Sequence, residues 1–228
     1  MRIRIIGAGR VGAPLGAWLL DKGHHVSFVD INEELLENVL NGTLDWEEPY
    51  LNETLQDEQE NMIGPDEFCD WTFICVGTPV VNGKPILDHI DKIITNISES
   101  TNIILRSTVA PGTCDSLAKK HKRIIWHAPE RLLLGQGMDE LNELPQIIGA
   151  TTTDASGDYV LSTMQFTDNF AGTFPSFISG TALEAECAKV SNNIVRYIEF
   201  ATGTELAEQF AAVGANPRKV REMMTDGY

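Results

Sequence analysis

Six residues near the N-terminus, Gly7-Ala8-Gly9-Arg10-Val11-Gly12, have the types and spacing that bind a diphosphate. They follow the apolar, β-branched run Arg2–Ile6 directly and open a helical pattern. In that setting Gly7 permits a tight turn, Gly9 lets a pyrophosphate approach the backbone, and Gly12 allows close helix–strand packing. The helix N-terminus adds N–H donors and the positive end of the helix dipole. The segment therefore predicts a dinucleotide site.

Asp30 predicts which dinucleotide binds. It ends the second predicted strand and lies 18 residues after Gly12. A carboxylate at this place accepts hydrogen bonds from the adenosine ribose hydroxyls. The same charge would repel a 2′-phosphate, so the sequence predicts NAD rather than NADP.

Strand and helix patterns alternate over the first two thirds of the chain. The predicted strands are Arg2–Ile6, Val26–Val29, Trp71–Val76, Asn102–Arg106, Arg123–His127 and Gln146–Gly149. The predicted helices are Val11–Asp21, Glu33–Leu40, Leu87–Ile97 and Gly112–Lys120. This alternation predicts an α/β fold with a Rossmann-type, doubly wound parallel sheet. Ligands of such sheets bind beyond the carboxyl ends of the strands.

The pattern changes after Gly149. A polar helix over Ala155–Met164 and an extended piece over Thr173–Ile178 are predicted there. Thr181–Val213 then has the apolar spacing of one long helix, and Pro217 suits the first turn of a short last helix. We therefore predict a cofactor domain over 1–178 and a central helical segment over 179–228.

The long helix predicts an oligomer. Leu183, Val190, Ile194 and Ile198 recur on one face of a helix about 50 Å long, more than a domain of this size can cover. Symmetric pairing of identical patches is the commonest way to bury such a face. We therefore expect a homodimer packed through Thr181–Val213.

Composition excludes several classes of protein. The 228 residues contain 17 Lys and Arg against 33 Asp and Glu, so the formal net charge is −16 and nucleic acid is not an expected partner. No run of 18 apolar residues predicts a membrane span. The four scattered cysteines include no CxxC pair, which argues against a zinc site. Reduced thiols in a cytoplasmic protein are the expectation.

Several segments together carry a family resemblance. In chain order they are Gly7–Gly12 with Asp30, Asn41-Gly42, Glu48-Pro49, Val76-Gly77-Thr78-Pro79, Ser107-Thr108-Val109-Ala110-Pro111-Gly112-Thr113, Pro129-Glu130 with Leu132 and Gly135, and Glu186 with Lys189 and Asn193. On these residues the chain resembles the UDP-glucose/GDP-mannose 6-dehydrogenases. Those enzymes oxidise a nucleotide-sugar alcohol to the uronate with two NAD.

The resemblance implies roles for individual residues. It implies that the cofactor contacts Gly77, Thr78, Pro79 and Ser107, in addition to the glycine loop and Asp30. Thr108 could touch the cofactor or position a water.

The resemblance also implies the catalytic residues. Glu130 looks like the family's glutamate that assists hydrolysis through water. Lys189 and Asn193 resemble the lysine and asparagine that hold the developing oxyanion. A UDP-glucose-like nucleotide sugar is the implied substrate.

The sequence also departs from the family. Arg10, Arg131 and Thr204 stand where an aromatic, Phe and Asn are usual. The family's enzymes continue into a domain that carries a cysteine nucleophile, whereas this sequence stops at Tyr228. We therefore expect NAD binding without the complete four-electron oxidation.

The cysteines of this chain do not replace that nucleophile in the prediction. Cys187 is expected to be buried on the apolar face of the long helix, away from Lys189. Cys114 needs a test, because a helix N-terminus can lower a thiol pKa.

Two other functions remain open at this point. A two-domain 3-hydroxyacid-type dehydrogenase also has a glycine-rich start and the Lys-x-x-Asn-Asn spacing of Lys189, Asn192 and Asn193. A non-catalytic NAD-binding protein is the other alternative.

Overall fold

The computed structural model describes residues 1–131, 133, 135–152 and 159–225. Leu132 and the beginning of the predicted helix Ala155–Met164 lie outside these residues. The strands are β1 Arg2–Ile6, β2 His25–Val29, β3 Trp71–Ile74, β4 Val80–Val81, β5 Lys84–Pro85, β6 Asn102–Leu105, β7 Ile125–His127, β8 Gln146–Ala150 and β9 Phe177–Thr181. The helices are α1 Gly12–Asp21, α2 Glu33–Asn41, α3 Leu51–Asp57, α4 Asp88–Asn96, α5 Thr113–His121, α6 Gly137–Glu143, α7 Tyr159–Asn169, α8 Ala182–Ala212 and α9 Pro217–Thr225.

Seven of the strands form one sheet in the order β2-β1-β3-β6-β7-β8-β9. The first five of these run parallel, with Ile3 opposite both Val26 and Trp71. The predicted Rossmann-type α/β fold is therefore confirmed. The expectation of a wholly parallel sheet is wrong at β8, which pairs antiparallel with β7. An antiparallel neighbour needs no full crossover, and only the short helix α6 lies between these two strands.

Helices cover both faces of the sheet because its central strands are apolar on both sides. In β6, Ile104 belongs to the core formed with α1 and α7, whereas Ile103 and Leu105 belong to the core formed with α4 and α5. All three side chains are fully buried. A strand buried on both faces is held rigidly, which fixes the positions of residues that follow its carboxyl end.

The sequence patterns missed the short elements. Helices α3 and α6 have seven residues each, and β4 and β5 form a hairpin of two-residue strands. Such elements are too short to show a full hydrophobic period. The last strand was predicted at Thr173–Ile178 and lies at Phe177–Thr181.

The chain divides into two compact units, Met1–Lys189 and Val190–Tyr228. The first unit contains the sheet and the first turns of α8, where Ala182, Ala185 and Glu186 are buried. The second contains the remainder of α8 and the whole of α9. Within the described ranges, no helix combines the length and the apolar character needed to cross a membrane.

Candidate active site

The glycine loop connects β1 to the N-terminus of α1 in a shape that requires glycine. Gly7 has φ +93°, and its N–H donates to the Val29 carbonyl at 2.8 Å. A Cβ on Gly12 would lie 1.9 Å from the Gly7 carbonyl oxygen. The sequence places glycine here because α1 starts in contact with the turn.

The N-terminus of α1 is open to an anion. No side chain caps it, and its first turn contains no acidic residue. The N–H groups of Gly9, Arg10 and Val11 make no hydrogen bond to any residue that the structure describes. Three backbone donors and the helix dipole can therefore act on one phosphate group.

Asp30 lies at the end of β2, beside this loop. Its Oδ2 accepts the N–H of Ala8 at 2.8 Å, and its Oδ1 accepts the N–H of Asn32 at 2.9 Å. A cavity of about 760 Å³ opens next to it. Gly7, Val29, Asp30, Ile31, Val76, Gly77, Pro79, His89, Lys92 and Ile93 are among its lining residues. Its size and mixed lining suit part of a dinucleotide.

Two hydroxyl groups connect the carboxyl ends of β3 and β6. Thr78 Oγ1 donates to the Thr108 carbonyl at 2.7 Å, and Ser107 Oγ donates to the Val76 carbonyl at 2.6 Å. Ser107 is buried, whereas Thr108 is exposed. Gly77 accepts a hydrogen bond from His89 Nε2 at 2.7 Å. Gly77, Thr78, Ser107 and Thr108 therefore lie together at one edge of the sheet. The Ser107 hydroxyl already donates its proton to the backbone.

Glu130 follows β7 and is held by a buried cation. Arg106 Nε and Nη2 donate to Glu130 Oε2 at 3.0 and 2.5 Å, and the Arg131 N–H donates to Oε1 at 2.7 Å. The Arg106 side chain is 1% exposed and that of Glu130 is 13% exposed. Arg106 Nη1 also donates to the Ala128 carbonyl at 3.2 Å. The carboxylate is thus fixed in orientation at the strand end.

His127 and Lys189 lie near this ion pair. His127 Nδ1 donates to the Leu105 carbonyl at 2.8 Å, while Nε2 is buried and has no partner among the described residues. Burial, and then the charges of Arg106 and Lys189, hold the pKa of His127 down at about 4. The ring is therefore neutral near pH 7. Lys189 is half-buried, and Asn193 follows four residues later in α8 and is exposed.

Glu48 positions the segment after Glu130. Its Oε2 accepts the Gly135 N–H at 3.1 Å, and its Oε1 accepts the Met138 N–H at 2.9 Å. Glu48 lies between α2 and α3, so this contact joins two loops that are 87 residues apart in sequence. The Glu48-Pro49 pair therefore has a structural role here.

Glu186 fixes the beginning of α8 to α5. It is fully buried, and its two oxygens accept the N–H groups of Gly112 at 2.6 Å and Cys114 at 2.7 Å. A carboxylate at a helix N-terminus satisfies free donors and opposes the helix dipole. Because Lys189 is three residues further along α8, this cap also sets where the lysine lies.

Three of the four thiols, those of Cys69, Cys75 and Cys114, are in surroundings that disfavour the thiolate. Burial raises the pKa of Cys75 to about 12 and raises that of Cys69. Burial, and then the adjacent Glu186 carboxylate, raise the pKa of Cys114 well above its usual value. The N-terminus of α5 therefore does not lower the pKa of the Cys114 thiol, because the Glu186 carboxylate occupies that N-terminus.

Cys187 differs from the prediction. It is exposed in the single chain, not buried. The inward side of the first turns of α8 is formed by Ala182, Ala185 and Glu186, and residue 187 lies about 100° further around the helix.

Two residues of this edge were missed in the sequence. The sequence pattern places Arg106 at the end of one predicted strand and His127 at the end of the next, and it assigns neither of them to a site. A charged residue directly after a buried strand and directly before Ser107-Thr108 was the available signal for Arg106. No sequence pattern could have shown that the Nε2 atom of His127 has no hydrogen-bond partner among the described residues.

Comparisons with known proteins agree with this geometry. A family model described as the UDP-glucose/GDP-mannose dehydrogenase family, NAD binding domain, matches residues 1–164. The chain is 28% identical to a UDP-N-acetyl-D-mannosamine dehydrogenase of Methanococcus vannielii, over 94% of this chain and 52% of that protein. It is 29% identical to a GDP-mannose 6-dehydrogenase of Pseudomonas syringae pv. syringae, over 98% of this chain and 56% of that protein.

The fold has close counterparts among solved structures. A GDP-mannose dehydrogenase from Pseudomonas aeruginosa, solved as a ternary complex, superimposes with a TM-score of 0.85 at 24% identity. The match covers 98% of this chain and 56% of that one. This chain spans about half the length of the curated relatives it matches. From the family match over most of its length, the chain belongs to the UDP-glucose/GDP-mannose dehydrogenase family and contains that family's NAD-binding domain.

Proposed function

We propose that this chain is the cofactor-binding part of a dehydrogenase that oxidises C6 of a nucleotide sugar to the uronate. The uncapped N-terminus of α1, with three open N–H donors beside Asp30, is the observation that carries the proposal. We also propose a cofactor domain over 1–178 and a central helical segment over 179–228.

NAD fits the site on structural grounds. Its diphosphate suits the open donors of α1, and its adenosine ribose suits Asp30. The residues proposed to hold it are Gly7, Gly9, Arg10, Val11, Gly12, Asp30, Gly77, Thr78, Pro79, Ser107 and Thr108. When bound, NAD supplies the acceptor for the hydride that leaves C6.

The proposed catalytic residues act on the substrate alcohol and on water. Lys189 and Asn193 are one turn apart in α8, so their side chains share a helix face and can both donate to the oxygen on C6. Glu130, oriented by Arg106, assists the water that attacks in the hydrolytic step. Thr108, exposed at the end of β6, is the proposed contact for that water.

The experiment is a single-turnover assay with excess protein. NAD and a nucleotide sugar deuterated at C6 are incubated with the chain, and deuterium in NADH is measured by mass spectrometry. We expect deuterium transfer below one equivalent and no sustained NADH formation, because burial raises the pKa of Cys69, Cys75 and Cys114 and so disfavours their thiolates. Lys189→Ala should abolish the transfer. NAD binding without any transfer would favour a non-catalytic NAD-binding protein.

The same assay tests which nucleotide sugar is the substrate. UDP-N-acetylmannosamine and GDP-mannose are tested first, since relatives bear those names, with UDP-glucose in parallel. Transfer from a small 3-hydroxy acid and not from any nucleotide sugar would contradict the proposal.

A homodimer and a cytoplasmic location complete the proposal. The exposed face of α8, where Ile194 is 54% and Ile198 is 56% exposed, supports the dimer. All four cysteines are free, which suits a reducing compartment.

A further inference from the structure

Arg10 is an exposed cation within the glycine loop. Its guanidinium carbon lies 5.2 Å from the centroid of the Trp46 ring. Arg10 makes no hydrogen bond or ion pair with any residue that the structure describes. Its donors have no partner among the described residues, while its guanidinium lies over an aromatic ring.

Trp46 is a fixed platform for this contact. It is half-buried and packs against the core of the sheet unit. It also lies two residues before Glu48, which is bound to Gly135 and Met138. The ring thus restricts where the Arg10 guanidinium lies without using its N–H donors.

A cavity of about 520 Å³ opens beside this pair. Its lining residues are Arg10, Trp46, Glu47, Pro49 and Gly135. Arg10 is the cation of this set and Glu47 is the anion. The space is therefore large enough for a phosphate group and its first substituent, with Arg10 as the group that attracts them.

The backbone of the loop supplies only part of what a diphosphate needs. The N–H groups of Gly7, Ala8 and Ala13 already bind Val29, Asp30 and Gly9. The N–H groups of Gly9, Arg10 and Val11 have no partner among the described residues, nor has that of Gly12, the first residue of α1, and all of them lie in one short stretch. A diphosphate has two charged groups, so a second donor group beside the loop would bind the one that the backbone does not.

We propose that Arg10 binds the diphosphate of a ligand seated on the glycine loop, and that Trp46 is the positioning residue that holds Arg10 in place. The inference rests on the proposed function in taking NAD as the first source of that diphosphate. The diphosphate of the nucleotide sugar is the second source. An arginine fork matches two phosphate oxygens at once, which an ordinary aromatic at position 10 cannot do.

The test is calorimetric titration of the chain with NAD, ADP, UDP and adenosine. Arg10→Gln should weaken NAD and ADP about tenfold and leave adenosine unchanged, since adenosine has no phosphate. Trp46→Ala should reproduce part of this loss, and the double variant should bind no more weakly than Arg10→Gln alone. Lys119→Gln, on the exposed surface of α5, removes the same charge elsewhere and should bind like the wild type.

The outcomes separate the possible failures. Wild-type affinity of Arg10→Gln for every diphosphate would overturn the inference, and strictly additive losses would overturn the positioning role of Trp46. A loss for UDP alone supports the diphosphate site and assigns it to the nucleotide sugar. A wild-type chain without affinity for NAD would refute the proposed function, while the ADP and UDP titrations would still test Arg10.

Discussion

At the end of β2, one carboxylate serves both the protein and the proposed ligand. Asp30 binds the Ala8 N–H of the glycine loop and the Asn32 N–H at the start of α2. Each carboxylate oxygen can accept a second hydrogen bond, so both can still take ribose hydroxyls. The residue proposed to select the cofactor therefore also shapes the glycine loop.

Asp30→Ala should lower the affinity for NAD about tenfold and remove most of the preference over NADP. The first effect follows from lost hydrogen bonds to the ribose and the loop, and the second from lost repulsion of the 2′-phosphate. Asp30→Asn retains an acceptor for the Ala8 N–H and should lose mainly the preference. Titration with both cofactors measures both effects, and an unchanged ratio of affinities in Asp30→Ala would contradict the assignment.

Arg106→Gln should destabilise the fold by about 3 to 5 kcal/mol, because it removes a guanidinium that is 1% exposed and that binds the Glu130 carboxylate. The matched control is Arg2→Gln, which breaks an ion pair with Glu67 whose side chains are 45% and 41% exposed. That exposed pair should contribute less than about 1 kcal/mol. Urea unfolding measures the loss of unfolding free energy in both variants. Equal losses would show that the burial of Arg106 does not increase the contribution of its ion pair to stability.

Two buried histidines predict how stability depends on pH. Burial lowers the pKa of His24 and of His127 to about 4, against 6.5 for a free histidine. Between these values the unfolded chain binds protons that the folded chain does not, so the free energy of unfolding falls as pH drops from 6.5 to 4. For His127 the loss is on the order of 3 kcal/mol, and for His24 it is smaller. His127→Gln should reduce this slope in urea unfolding, whereas Lys119→Gln, on the exposed surface of α5, should not.

At the scale of elements, the helices of this fold begin at different kinds of N-terminus. The N-terminus of α5 is closed by the Glu186 carboxylate, which belongs to α8. Among the described residues, no carboxylate occupies the N-terminus of α1 in this way. A helix end that the protein satisfies is part of the scaffold, and one that it leaves open can bind an anion.

Two glycines of α1 and its loop should separate folding from binding. Gly12→Ala puts a Cβ 1.9 Å from the Gly7 carbonyl, so it should destabilise the protein by several kcal/mol. A Cβ on Gly9 meets no heavy atom within 4 Å, so Gly9→Ala should leave the melting temperature nearly unchanged. It should still weaken NAD binding, because the new methyl occupies the phosphate approach. Thermal melting with NAD titration tests both, and tight NAD binding by Gly9→Ala would place the diphosphate elsewhere.

At the scale of the whole molecule, α8 leaves an apolar surface open. It has 31 residues, or about 46 Å, and its buried residues all lie in its first turns. Leu183, Ile194, Tyr197, Ile198 and Phe200 are between 43% and 75% exposed. Exposed apolar residues in such numbers on one helix are typical of a protein interface.

We expect light scattering to give twice the chain mass of 25.1 kDa at micromolar concentration. Ile194→Glu combined with Ile198→Glu should give a monomer, because it places charges within the proposed interface. Leu161→Glu, on α7 and 68% exposed, makes a comparable change outside α8 and should leave the dimer intact. A monomeric wild type would contradict the homodimer.

Much of the fold and of the proposed site could be predicted because the relevant signals are local. The glycine loop, Asp30 and the six predicted strands before Ala150 are each specified by a few neighbouring residues, so the predicted bounds of these strands agree with the structure to within two positions. The sequence pattern does not predict helices α3 and α6, because seven residues are too few to show a helical period. It does not predict the direction of β8 either, because a strand has the same hydrophobic pattern in both directions. The sequence places Thr78, Ser107 and Thr108 after predicted strands. It does not predict the hydrogen bonds that Thr78 and Ser107 make with the backbone.

The sequence by itself determined the alternation of strands and helices, the glycine loop and the charge at the end of β2, because each depends on neighbouring residues. Only the tertiary structure decided the contacts between residues far apart in the chain. Arg106 binds Glu130, which is 24 residues away in the sequence. Glu48 binds Gly135 across 87 residues, and Glu186 binds Gly112 at the start of α5 across 74 residues. Such contacts depend on how the sheet orders its strands, which no local spacing contains.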